Sequence, residues 1–239
     1  MAVKILIFDI ECYTHDFAAD KGYMLCIGYK WLGDKETHVI VPCNLEKWSK
    51  NPTADKEQII EFMRLVEEAD LVVGWNSKSF DWRFIQTRAL KHKLGALPPV
   101  PHADLLLTAR NTTKMRRTLD NIGKFFDLKN QKIPLDINVW MAAGRGDIKA
   151  LKQIIDHCIA DVKMTEEAYY IFAPLSRVHP NVAMIEGKPG HCPRCGKDAL
   201  IRKGEVKALR HYRKQFKCKN CGHWPTSNPI KYGKKGITE

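Results

Sequence analysis

A mixed α/β body followed by a small metal-stapled module is the fold class this sequence predicts. Three observations predict it. Three strand-like stretches, a helical one and a further short strand come first, helical spacing takes over afterwards, and two Cys-x-x-Cys pairs stand together near the end. Residues 1–173 are expected to form the body and 174–190 a linker containing Pro174, Pro180, Pro189 and Gly190. Residues 191–239 are expected to form the cysteine-bearing module.

The elements follow in order. VKILIFDI (3–10) reads as a buried strand ending in the acids Asp9 and Glu11. Residues 23–32 and 37–41 read as two more strands, separated by Gly33-Asp34-Lys35, so the first three make an antiparallel meander. Residues 55–69 have helical period, with Ile59, Ile60, Phe62, Met63 and Val66 on the apolar face. DLVVGW (70–75) is a short buried strand and 81–92 the helix after it. Beyond Pro98, Pro99 and Pro101, residues 102–109 fit a strand or a short helix. Residues 118–126 are expected to be helical, with Leu119, Ile122, Phe125 and Phe126 on one face. The longest helix spans 147–172, with Asp147 as N-cap and Ile148, Leu151, Ile154, Ile155, Cys158 and Ile159 as its stripe; Pro174 ends it.

Bulk properties narrow the function classes. At 239 residues, 44% hydrophobic and 28% charged, the composition is globular rather than disordered. No apolar run approaches the roughly 20 residues that span a bilayer, so no membrane role is expected. The strand-like start leaves no signal-peptide core, which predicts an intracellular, cytoplasmic protein; the compact pairing of the body with a cysteine module suits a bacterial or phage-infected cell. The formal charge of +12 is uneven: residues 174–239 carry 15 Lys/Arg and 4 Asp/Glu, against 24 and 23 in residues 1–173. A near-neutral body with a basic tail points to a polyanionic partner, nucleic acid first.

Eight cysteines could make four disulfides, but Cys12, Cys26, Cys43 and Cys158 are scattered singly and read as reduced, buried thiols. Cys192-Pro-Arg-Cys195-Gly and Cys218-Lys-Asn-Cys221-Gly have the spacing of a structural Zn²⁺ site, each with a glycine for the tight turn. Residues 199–206 and 209–217 between them read as a hairpin, the arrangement of a zinc ribbon. A rubredoxin-like iron site is the lesser alternative, and His191 and His223 are expected to be bystanders. Arg210, Tyr212, Arg213 and Lys214, with Phe216, Trp224 and Tyr232-Gly233-Lys234-Lys235, mix cations with rings, as a surface that tracks phosphates and stacks bases does. For Phe216, packing inside the ribbon is the favoured reading.

The body's acids sit at the ends of apolar elements. Asp9 and Glu11, two apart on a strand, share a sheet face; Asp81 opens a helix after a buried strand. Asp161 lies within the apolar HCIADV, four residues after His157 and on the same helical face. Converging carboxylates suit a pair of hard divalent cations, Mg²⁺ or Mn²⁺, which hydrolyse phosphodiesters by activating water and holding the leaving oxygen. Singly, each acid fits a turn, a cap or a solvated face; the combination carries the reading.

The motifs also carry a resemblance. Phe8-Asp9-Ile10-Glu11 resembles the first motif of the DEDD exonuclease superfamily. Gly74-Trp75-Asn76-Ser77-Lys78-Ser79-Phe80-Asp81 resembles the second, in the Asn-x-x-x-Phe-Asp form of exonuclease domains of family B DNA polymerases. His157-Cys158-Ile159-Ala160-Asp161 falls where the third belongs, and Thr118–Lys124 resembles the region between them. The resemblance covers about residues 3–172. It implies an RNase H-like fold, two-metal 3′→5′ hydrolysis with Asp9, Glu11, Asp81 and Asp161 as ligands, and a Tyr or His serving the attacking water. Tyrosine members place Tyr four residues before the last Asp and histidine members place His five before it; here His157 stands in the tyrosine register. Asn76, Phe80, Lys78, Arg116 and Arg117 are candidate substrate contacts. The expected activity is a 3′→5′ exonuclease on single-stranded or frayed DNA, DNA ahead of RNA, with proofreading requiring a separate polymerase or replication protein. The alternatives are a nucleic-acid-binding or polymerase-accessory protein with a nuclease-like body, and an RNA-trimming exonuclease or structure-selective endonuclease.

Overall fold

A computed structural model describes residues 2–14, 16 and 18–232, which form two compact units. The larger holds Lys4–Phe172 and Ser176–His179; the smaller holds 2–3, 173–175 and 180–232. Gly233, Lys234 and Lys235 of the basic–aromatic set lie outside the described residues.

The larger unit is built on a five-stranded mixed sheet in the order β3-β2-β1-β4-β5. Strands β1 (Ile5–Tyr13), β2 (Tyr23–Trp31) and β3 (His38–Ile40) form the antiparallel meander. Strands β4 (Leu71–Gly74) and β5 (His102–Asp104) add in parallel beyond β1. Helices α1 (Leu45–Lys50), α2 (Lys56–Glu68), α3 (Asp81–Lys91), α4 (Leu105–Thr112), α5 (Leu119–Phe125), α6 (Ile137–Gly144) and α7 (Ile148–Phe172) complete it. The side-chain period of two assigns β1 to two cores. Leu6, Phe8 and Ile10 join Met24 and the Ile59, Phe62 and Val66 stripe of α2. On the opposite face Leu25, Cys26 and Trp48 meet Leu151, Ile154 and Cys158 of α7. Asp9 and Glu11 therefore share the α7 face of the sheet.

Gly28 sets how closely α7 approaches. It pairs with Asp9 across the β1–β2 ladder. A Cβ there would lie 2.7 Å from Cys158 Sγ and 2.9 Å from Val162 Cγ2. Its missing side chain brings α7 against β1 where the acids stand. Asp147 caps α7 by accepting the Ala150 N–H at 3.0 Å, as its position predicts.

Several local expectations change. β1 runs on to Tyr13, with a register shift after Glu11, because β2 continues to pair with Cys12 and Tyr13; the two acids lie inside the strand rather than at its end. Residues 102–109 are strand and then helix. Phe125 is exposed while Leu119 and Ile122 are buried, since 100° of rotation per residue carries Phe125 off the face those two define. Cys43 is exposed in the loop after β3 instead of buried. Helices α1 and α6 were not expected.

In the smaller unit β6 (Leu200–Lys207) and β7 (His211–Cys218) form the hairpin, and a short third strand, β8 (Ile230–Lys231), joins β7. The 174–190 segment contains a 3-10 turn (Ala173–Leu175) and α8 (Val182–Ile185). Val182 and Ala183 are buried, and the Val182 N–H donates to the Pro193 carbonyl at 2.8 Å.

Candidate functional site

Three elements of the larger unit bring the acids together. β1 supplies Asp9 and Glu11. β4 stops at Gly74, and the chain turns through residues 75–80 into α3, whose first residue, Asp81, accepts the Ile10 N–H through Oδ1 at 3.2 Å. Asp81 thereby takes a ladder donor of β1 that β4 does not reach. α7 supplies His157 and Asp161, one turn apart on its sheet-facing side. His157 Nε2 lies 3.5 Å from Glu11 Oε1 and 3.7 Å from Asp161 Oδ2. All five residues line one cleft of about 1210 Å³.

The imidazole's state follows from its partners. His157 Nδ1 bonds the Ile133 carbonyl, which can only accept, so Nδ1 carries a proton; in the neutral ring the lone pair is then on Nε2, the nitrogen that faces the acids. Burial lowers the His157 pKa below its usual value, against the opposing pull of Asp161 and the Ile133 carbonyl. The carboxyls move the other way. Burial, then the charges of Asp81 and Asp161, push Asp9 well above the carboxylate range. Burial, then Asp9 and Asp161, do the same to Glu11. Asp81 rises to about 7 through burial, with backbone N–H groups opposing. Acids so placed call for a cation.

The side chains fit one. Asp161 is 5% exposed, and its Oδ1 is buried with no hydrogen-bond partner among the described residues; an orphaned carboxylate oxygen is an open ligand position. Asp161 Oδ2 takes the Lys132 ammonium at 2.7 Å. Asp9, Glu11 and Cys158 have ligand atoms close enough to share an ion. The Cys158 thiol is held protonated by the Cys26 side chain and by burial, and it donates to the Asp9 carbonyl at 3.7 Å, so the carboxylates are the better ligands.

The surrounding contacts fall into two groups. Asn76, Phe80 and Arg117 line the cleft, whereas Lys78 and Arg116 are exposed outside it. Asn76 has φ 63 and bonds Ser79 Oγ through Oδ1 at 2.5 Å; asparagine tolerates that left-handed turn. The Arg117 carbonyl accepts the Trp75 indole N–H at 3.2 Å.

Sequence reasoning missed three residues. Lys132 is in an irregular stretch with no period to place it. Trp140, on α6, donates its indole N–H to Glu11 Oε2 at 3.3 Å; the Asp136 cap and Gly144 stop that frame α6 were the available signal. Asp104 clamps the 75–80 turn, accepting the N–H groups of Asn76 (3.2 Å) and Lys78 (3.0 Å), and also caps α4.

The second centre lies in the smaller unit. Cys192, Cys195, Cys218 and Cys221 converge, with Cys192–Cys221 and Cys195–Cys218 sulfurs both 3.7 Å apart. A tetrahedron with Zn–S of 2.3 Å has edges of about 3.8 Å, so the four thiols fit zinc and are too far apart for disulfides. The knuckles repeat one turn. Gly196 N–H bonds the Cys192 carbonyl and Gly222 N–H the Cys218 carbonyl, at φ 67 and 76. His191 and His223 are bonded through Nδ1 to the carbonyls of Gly196 and Pro174, outside the sulfur cluster. On β7, Arg210 precedes the strand and is exposed, and Tyr212 packs on Tyr232 at 5.7 Å. Arg213 Nη1 donates to the Ser227 carbonyl, and Lys217 lies over the Trp224 ring at 5.6 Å.

Among the described residues no helix is long and apolar enough to cross a membrane. A family model for the RNase H superfamily matches residues 6–172, the span that carries the sheet, the cleft and all five converging residues. The chain belongs to the RNase H superfamily.

Proposed function

We propose that this protein is a divalent-metal-dependent nuclease that removes nucleotides from the 3′ end of single-stranded or frayed DNA. The observation that carries the reading is the convergence of Asp9, Glu11, Asp81, Asp161 and the Nε2 lone pair of His157 in one cleft of an RNase H superfamily domain.

Asp9, Glu11, Asp81 and Asp161 would hold two Mg²⁺ or Mn²⁺ ions. Bound there, the ions supply Lewis acidity to the attacking water and to the leaving 3′ oxygen. The chain's own groups do the rest. His157 Nε2 accepts the proton that water loses as its oxygen bonds to phosphorus; the P–O3′ bond breaks, leaving a 3′ hydroxyl on the strand and a 5′ phosphate on the released nucleotide. The Lys132 ammonium, already beside Asp161, offsets charge on the phosphate oxygens. Asn76, Phe80 and Arg117 line the path of the terminal nucleotide. The ribbon, with structural Zn²⁺ on its four cysteines, holds the strand through Arg210, Tyr212, Arg213 and Lys214, while Lys78 and Arg116 offer outlying phosphate contacts.

The test is end-labelled single- and double-stranded DNA and RNA incubated with Mg²⁺ or Mn²⁺, beside an Asp9→Ala/Glu11→Ala control. A ladder shortening from the 3′ end, fastest on single-stranded DNA and absent in the control, is expected. No cleavage of any substrate with either metal would overturn the reading in favour of a binding protein.

A further inference from the structure

Resting on that nuclease reading, we infer that Trp140 is a positioning residue, whose indole fixes Glu11 and His157 relative to each other at the point where water must be activated. An indole N–H only donates. At 3.3 Å from Glu11 Oε2 it commits that oxygen, leaving Oε1 as the one 3.5 Å from His157 Nε2. The same ring stands edge-on to the imidazole, centroids 5.4 Å apart at 85°. His157 is thus held on two sides, by the Trp140 edge and by the Ile133 carbonyl on Nδ1.

The helix that presents Trp140 is referenced to the strand that presents Glu11. Asp136 caps α6 by accepting the Asn138 N–H at 2.8 Å. At the other end, a Cβ on Gly144 would fall 2.0 Å from the Tyr13 ring, and the Gly144 carbonyl accepts the Tyr23 hydroxyl. Tyr13 lies two residues beyond Glu11 on β1, and Trp140 lies one helical turn before Gly144. The contact between α6 and β1 therefore sets the distance from indole to carboxylate. Trp140 also packs against the core under α7. That packing survives in phenylalanine, but the N–H does not, so the two roles separate in a single variant.

The test uses the full chain, zinc-loaded, with ¹⁵N-labelled indoles. The protein has six tryptophans, and the indole signal lost in Trp140→Phe identifies the residue. That signal is expected to shift when Mg²⁺ is titrated in and again in Glu11→Gln. In the nuclease assay Trp140→Phe is expected to lower kcat about tenfold or more with KM for the strand within about twofold, as loss of one hydrogen bond to a charged group allows. If the phenylalanine variant melts early, 3-benzothienylalanine at the position keeps the ring and exchanges only N–H for sulfur, and the same loss of kcat is expected. An indole signal that ignores both Mg²⁺ and Glu11→Gln would overturn the inference even in an active nuclease, as would wild-type kcat in a folded variant lacking the N–H. A responsive indole in a wild-type protein without nuclease activity would instead remove the nuclease reading and keep Trp140 as an organiser of the acidic centre.

Discussion

Asp9, Glu11, Asp81 and Asp161 share one cleft wall, where burial raises the pKa of the first three and neighbouring acids push Asp9 and Glu11 further. Without divalent cations the native state keeps Asp9 and Glu11 protonated well above the carboxylate range and Asp81 up to about 7. The unfolded chain releases the same protons near pH 4. Between these limits the native state binds more protons, so stability is greatest below the unfolded value and falls as pH rises through the raised native ones. With zinc retained and no Mg²⁺ or Mn²⁺ present, thermal melts should show Tm falling from pH 5 to pH 8. Added Mn²⁺ should restore Tm at the alkaline end, because the cation takes the place of the protons. Asp81→Asn should flatten the slope. A metal-free Tm that holds steady or climbs across this range would show that the acids are not confined as described. Part of this was legible beforehand. Strand parity places Asp9 and Glu11 on one face and helical spacing pairs His157 with Asp161. Lys132 and Trp140 reach the same carboxylates from segments far away in sequence, and no local pattern encodes that meeting.

At the scale of elements, legibility followed length and period. The meander, α2, α3 and the 25-residue α7 declare themselves through apolar spacing that survives into the cores. Helices α1 and α6 are six and eight residues long, about two turns, too short to show a period; caps and stops are all they display. The closeness of α7 to the sheet is likewise tertiary, set by Gly28, whose absent side chain means nothing until its neighbours are known. Gly28→Val should push α7 outward and cost about 1–3 kcal/mol, as overpacking does. It should also weaken Mn²⁺ binding, because Asp161 rides on that helix. Cys158→Ala removes the sulfur that a new Cβ would meet at 2.7 Å. In denaturant titrations the Gly28→Ala/Cys158→Ala pair should therefore lose less stability than the two single changes summed. Strict additivity would mean that the contact does not govern the packing.

At the scale of the whole molecule, chemistry and charge are divided between the units. The acids lie in the near-neutral body, and the excess of Lys and Arg lies in residues 174–239. On the proposed reading, a strand drawn mainly by the ribbon would release counterions there, so that binding would depend on salt through the ribbon's cations and turnover on the cleft. Arg210 and Lys214 can be neutralised without touching the sulfurs, and replacing both by alanine should reduce the slope of log affinity against log salt on single-stranded DNA by about 1.4, at about 0.7 per lost phosphate contact. Affinity should fall most at low salt, with kcat at saturating strand unchanged, since neither side chain belongs to the cleft. Fluorescence anisotropy across a salt series measures the slope, and single-turnover cleavage measures the chemistry. A slope that keeps its wild-type value in the double variant would mean that the ribbon's cations do not meet the strand, and its surface would then be read as a docking site for a protein partner.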